Sequence, residues 1–169
     1  MSKLLDGIEF PEDLKKLTID DLPRLASEIR EFIIDVVSKN PGHLASNLGV
    51  VELTIALHYC FDFKRDKIVW DVGHQAYVHK VLTGRKSRFP TLRQYKGLSG
   101  FPCKTESIYD PFTCGHSGSA ISAAMGVSCA DEILGCKRSH VAIVGDGAIG
   151  AGMSLEALNH AGDLKKNLL

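Results

Sequence analysis

A chain of 169 residues, 44 % hydrophobic and 24 % charged, has the length and composition of one globular domain with a sizeable buried core. Its twenty basic and twenty acidic residues cancel, so net charge favours neither nucleic acid nor a membrane surface as a partner. The odd set of cysteines (Cys60, Cys103, Cys114, Cys129, Cys136) has no pair spaced for zinc; with Lys3 and Asp6 too early for a signal peptide and no membrane-length apolar run, a reducing cytoplasm is expected.

Thr18 followed by Asp21 resembles a capping box, and Leu22, Leu25, Ile29, Ile33 and Val36 recur at helical spacing until Asn40-Pro41-Gly42, which predicts a helix over residues 20–39. Ser46 and Asn47 then cap a second helix over residues 50–61. It is apolar on nearly every side and so belongs in the core, where Glu52 needs a partner. Residues 67–72 form an apolar run of strand length ending at Gly73, and a helix is predicted over residues 75–82 before Thr83-Gly84. Residues 86–112 show neither period and collect Pro90, Gly97, Gly100, Pro102 and Pro111, the pattern of a long surface loop. From Ser117 the small residues Ala120, Ala123, Ala124 and Gly126 predict a closely packed helix to about residue 134. Residues 141–144 read as a second strand and residues 151–161 as the helix after it, with Asn167-Leu168-Leu169 opening a third strand.

This alternation predicts an α/β fold, a parallel sheet flanked by helices with a ligand crevice at the C-terminal ends of its strands. Gly73-His74 and Asp146-Gly147 both fall at such ends, which favours one shared site over two unrelated turns.

Gly145-Asp146-Gly147 offers a carboxylate between bare backbone amides, suited to a diphosphate and its magnesium, although Asp-Gly is also an ordinary turn. Cys114-Gly115-His116-Ser117-Gly118-Ser119 precedes a helix; a serine N-cap accounts for part of it and leaves His116 unexplained. His43 and His74 each follow a glycine on a connection. Singly each reads as a hydrogen-bonded structural histidine, and clustered near one crevice they suit proton transfer at neutral pH. His58, His79, His140 and His160 lie in predicted elements and are read as structural, and the charge runs 64–67 and 165–166 as solvated surface.

The segments from His43-Leu44-Ala45-Ser46-Asn47-Leu48-Gly49 through Trp70-Asp71-Val72-Gly73-His74-Gln75-Ala76-Tyr77 and Thr83-Gly84-Arg85 come in a specific order. With Gly100-Phe101-Pro102, Glu106-Ser107, Tyr109-Asp110-Pro111-Phe112 and Gly115-His116-Ser117, they resemble the N-terminal domain of the 1-deoxy-D-xylulose-5-phosphate synthase family. Gly145-Asp146-Gly147 looks like the opening of that family's thiamine diphosphate motif. The resemblance implies a transketolase-like transferase that uses thiamine diphosphate and Mg²⁺ to decarboxylate pyruvate and join the two-carbon remainder to glyceraldehyde 3-phosphate. That is the first step of the non-mevalonate isoprenoid route, and its product also feeds thiamine synthesis. It further implies that Asp146 ligates magnesium and that Gly147 and Ala148 border the diphosphate. Gly115, His116 and Ser117 would contact the cofactor, His74 would meet both cofactor and reacting centre, and His43 would act catalytically near the substrate. A homodimer is the family expectation.

Against the family pattern, the motif's closing asparagine is not reached, since Asn167 precedes the strand that it should follow, and Thr113-Cys114 stands where glycine and threonine are expected. Residues 1–169 are therefore expected to be a partial diphosphate-binding domain without its pyrimidine-binding and C-terminal domains, and inactive alone. Two alternatives are the N-terminal subunit of a split transketolase and a non-catalytic truncated module that associates with itself or with the full enzyme.

Overall fold

The computed structural model describes residues 3–169; Met1 and Ser2, where the segment inspected for a leader begins, lie outside the described residues. The fold is α/β, with a two-stranded parallel sheet flanked by helices. The chain forms two compact units, Met1–Asp62 with His74–Gly100, and Phe63–Gly73 with Phe101–Leu169. Among the described residues no helix is long and apolar enough to cross a membrane, and all five cysteines are free.

In the first unit a short helix α1 (Pro11–Leu14) and a 3-10 turn (Ile19–Asp21) lead into α2 (Leu22–Lys39). The box at Thr18 exists: the Asp21 carboxylate accepts from Thr18 N at 3.0 Å and from its hydroxyl at 2.6 Å, but it closes the 3-10 turn, so α2 starts two residues later than expected. Leu25, Ile29, Ile33 and Val36 line the buried face of α2, as their spacing predicts.

After α3 (Ala45–Leu48), the helix α4 (Val51–Cys60) buries Val51, Thr54, Ile55 and His58. It is not enclosed on every side. Leu53 is 46 % exposed, because α1, α2 and α5 leave part of the helix uncovered, and Glu52 is exposed beside it. Glu52 does have a partner, accepting from both Arg30 Nη1 and Nη2 at 2.6 Å, and this bidentate pair holds its carboxyl below the usual range.

The predicted helix over residues 75–82 is shorter than expected. α5 (Tyr77–Lys80) passes into a π-type turn (Val81–Arg85) broken by Thr83 and Gly84. The following stretch is irregular but not all surface, since Phe89, Leu92 and Leu98 are fully buried in the core of this unit. Its apolar residues supply the burial that periodicity does not announce. His58 and His79 are also buried here, with His58 Nε2 2.9 Å from His79 Nδ1 and the rings stacked at 5.1 Å.

In the second unit β1 (Lys67–Trp70) pairs in parallel with β2 (His140–Ile143), Lys67 opposite His140 and Trp70 opposite Ile143. Leu168 forms a parallel bridge to His140, and Leu169 exchanges backbone bonds with His140 and Ala142, so the expected third strand opens beside β2. Helix α6 (Ala120–Ile133) lays Ala120 and Ala124 against Val69, the close packing that small residues permit. A short α7 (Asp146–Ile149) and α8 (Gly152–Asp163) follow β2. At the N-terminal end of the strands Asp131 accepts from Arg138 Nη2 and pairs with His140 Nε2, each at 2.8 Å, while Lys166 pairs with Glu132.

Beyond β1 the backbone turns sharply, with φ +57° at Val72 and +84° at Gly73, and Gly73 N–H reaches Asp71 O at 2.5 Å. A Cβ on Gly73 would lie 2.4 Å from Pro102 Cδ and 3.1 Å from Cys114 Cβ. Adding left-handed strain to this overlap, Gly73→Ala should cost about 2–4 kcal/mol of stability, read from the urea midpoint. Burial, and then the charges of His79, Arg85 and Lys15, push His58 well below the ordinary imidazole value of 6.5. Above 6.5 the folded and unfolded imidazoles are both neutral; as pH falls below it the unfolded chain takes up the proton first, and stability declines. The urea midpoint should therefore drop between pH 7.5 and about 5.5, with a shallower slope in His58→Gln.

Candidate functional site

His43 lies just before α3, and His74 in the turn leading to α5. Their rings approach to 5.2 Å between centroids, edge to face at 68°. Asn47 on α3 is fully buried and donates to His43 O at 2.6 Å and to His74 O at 2.8 Å, while its oxygen accepts from Tyr77 N at 2.8 Å. The Tyr77 hydroxyl in turn accepts from His43 N at 3.2 Å. The pairing of the two histidines thus follows from Asn47, which lies inside α3; the expected cap of α4 by Ser46 and Asn47 is not made, since its N-cap is Val50 with no side-chain bond.

Partial burial, then His74 and the Arg93 guanidinium, lower the pKa of His43 below 6.5, so it is neutral at pH 7. Arg93 Nη1 is 3.5 Å from His43 Nδ1, and arginine only donates, so the neutral ring keeps its proton on Nε2. Arg93 has φ +59° and is held by a 2.7 Å bond from its N–H to Leu98 O. Nothing in the aperiodic 86–112 stretch marked it. His74 Nδ1 is buried without a hydrogen-bond partner among the described residues.

In the second unit Gly115, His116 and Ser117 are exposed on the irregular stretch before α6. The serine-cap reading fails in its detail: Ser119 occupies the N-cap position, but its hydroxyl donates to His116 O at 3.1 Å. Asp71, fully buried at the end of β1, does the capping, its two carboxylate oxygens accepting from Gly118 N at 2.9 Å and Ala120 N at 3.0 Å. An acid at the tip of an apolar strand was the available signal, because a buried carboxylate needs donors.

Asp146 is the exposed first residue of α7, Gly147 follows it, and Ala148 is buried beneath the turn. Gly145 O accepts from Ala148 N and Ile149 N at 2.9 and 3.0 Å, and Ser154 Oγ fixes Ala148 O at 2.7 Å. The N–H groups of Asp146 and Gly147, first in the helix, have no intrahelical acceptor. A Cβ built on Gly115, Gly145 or Gly147 meets nothing within 4 Å, so bare backbone faces open space at all three. Gly118 lies against Ala151, Met153 and Ser154, with a built Cβ 3.2–3.5 Å from their side chains, which makes the 115–118 loop and the start of α8 neighbours.

Among the described residues no group of three or more His, Cys, Asp and Glu converges as a metal cage. One exposed carboxylate beside open glycines fits a magnesium ion that takes most of its oxygens from a diphosphate and water. The structure therefore brings His43 and His74 together in one unit, and sets Gly115, His116 and Ser117 with Asp146, Gly147 and Ala148 in the other.

Residues 5–169 match the family described as 1-deoxy-D-xylulose-5-phosphate synthase. Over all 169 residues the chain is 59 % identical to 1-deoxy-D-xylulose-5-phosphate synthase 1 of Geobacter sulfurreducens and 57 % identical to the synthase of Carboxydothermus hydrogenoformans, covering 26 % and 27 % of those proteins. Over 168 residues, 99 % of the chain, it is 57 % identical to the synthase of Neisseria meningitidis serogroup C, covering 26 % of that protein. The chain thus spans about a quarter of the length of the curated relatives it matches.

Replacing Asp71 by Asn exchanges one strong acceptor for a donor that opposes a backbone N–H, at an expected cost of about 2–3 kcal/mol. Amide exchange of residues 115–120 should accelerate more than that of β2, which hydrogen-exchange mass spectrometry would show.

Proposed function

The chain belongs to the 1-deoxy-D-xylulose-5-phosphate synthase family, and we propose from this premise that it is the diphosphate-binding part of a thiamine diphosphate-dependent transferase. That transferase decarboxylates pyruvate and adds the remaining two carbons to glyceraldehyde 3-phosphate. The observation that carries this reading is the turn at the tip of β2, where one exposed carboxylate stands between glycines open to a ligand. Thiamine diphosphate, when bound, supplies the electron sink for the decarboxylation.

In this reading Asp146 ligates Mg²⁺, and the backbone N–H of Gly147 and the Ala148 turn border the diphosphate. Gly115, His116 and Ser117 bind the cofactor from the neighbouring loop, with Asp71 holding that loop in place. His74 offers its unpartnered Nδ1 to the cofactor or reacting group. His43, neutral and protonated at Nε2, donates from that atom to a substrate oxygen as negative charge develops there. Arg93 beside it supplies a fixed cation for the carboxylate or phosphate of a substrate. The active assembly is a homodimer of the longer polypeptide. The 169-residue chain alone, with a single carboxylate at its metal turn, binds the cofactor weakly and does not turn over.

In a protein of the relatives' full length, Asp146→Asn should weaken Mg²⁺-dependent thiamine diphosphate binding by about 10²-fold, read by calorimetry. His43→Gln should lower kcat by about 10²–10⁴-fold while cofactor affinity stays within a few-fold. Unchanged cofactor binding in Asp146→Asn would remove the metal assignment, and turnover by the purified 169-residue chain would overturn its inactivity.

A further inference from the structure

The bonds made by Asn47 go to backbone and not to the imidazoles themselves. Both of its amide protons are used, one on His43 O at 2.6 Å and the other on His74 O at 2.8 Å. Its oxygen is occupied by Tyr77 N at 2.8 Å, and the Tyr77 hydroxyl closes the circuit on His43 N at 3.2 Å. A fully buried side chain so engaged has one rotamer available, so it sets the two Cα positions from which the rings project. The rings arrive 5.2 Å apart, where a proton on one opposes a proton on the other. Among the described residues, the charged and titratable groups facing His43 include His74 from the turn before α5, Arg93 from the loop of residues 92–98 and the Tyr77 phenol of α5, and Arg93 adds to the resistance against a second positive charge.

We propose that Asn47 is a positioning residue, whose carboxamide holds the carbonyls of His43 and His74 at the spacing where a proton on one imidazole opposes a proton on the other, so that the two act as one proton-transfer unit. This rests on the reading above that His43 and His74 carry proton transfer. A helix cap with no other task would need one acceptor; a fork that spends both donors on the two histidines goes beyond that.

The test follows the Cε1–H signals of both rings by NMR between about pH 5 and 8, in the chain labelled at histidine. In the unaltered protein each ring should show a second inflection at the midpoint of the other. In Asn47→Ser that cross-inflection should be lost, and the His43 midpoint should rise toward 6.5. If Asn47→Ser does not fold, Asn47→Asp keeps the volume and the acceptor for Tyr77 N–H. Its added charge moves both midpoints, so only the cross-inflection is read, and it too should disappear. A cross-inflection that persists in either folded variant while Tm falls would make Asn47 merely structural and overturn the proposal, as would its absence from the unaltered protein. The catalytic reading fails separately, if His43→Gln and His74→Gln both retain turnover in the full-length enzyme whatever the titrations show.

Discussion

The second unit depends on one buried carboxylate. Asp71 ends β1, takes two backbone N–H groups from the start of α6, and so fixes where the chain before that helix must run. Without it the strand and the helix that covers it would rely on apolar contact such as that of Val69 with Ala120 and Ala124, which resists separation but tolerates sliding. Charge-assisted bonds are directional, and this pair sets the register of strand against helix. The positions of Gly115, His116 and Ser117, three to five residues upstream of α6, follow from that register. The unusual backbone at Val72 and Gly73 is its counterpart: the chain must leave the sheet abruptly once Asp71 has turned inward.

Much of this was legible in the sequence. The helical period of Leu25, Ile29, Ile33 and Val36 and the apolar runs over residues 67–72 and 141–144 mark elements whose burial is one-sided or complete, and pattern reading recovers these, with β1 ending two residues earlier and β2 lying one residue earlier than read. Even the opening of a third strand at Leu168 was visible. The reading failed where burial has no period. Phe89, Leu92 and Leu98 enter the core from irregular backbone, and Leu53 stays exposed on a helix whose composition alone suggested full enclosure.

The site was legible in its reactive residues and not in their supports. His43, His74 and Asp146 announce themselves by residue type beside glycine. Asn47, Asp71 and Ser154 do not, because a side chain that bonds backbone has no characteristic spacing; its partners are chosen by the fold. Asn47 reaches His74 across 27 positions and Asp71 reaches Gly118 across 47, separations over which a single sequence carries no pairing signal. Arg93 was hidden for a different reason, a left-handed residue inside a stretch without periodicity.

The neutral total charge of the chain conceals an axis. Gly118 against Met153 and Ser154 places the starts of α6 and α8 side by side, and Lys166 on Glu132 places their ends together, so the two helices run the same way. Their macrodipoles add, presenting partial positive charge toward the glycine-rich end and partial negative charge toward the other. The basic residues Lys137, Arg138, Lys165 and Lys166 follow the helix ends where that negative charge collects, and they neutralise it. At the opposite pole the Asp71 carboxylate on Gly118 N and Ala120 N offsets the positive end of α6, while no acid stands in the first turn of α8, so the positive potential kept at the glycine-rich end comes from peptide groups and not from lysines, and mutation of surface charges leaves it largely intact.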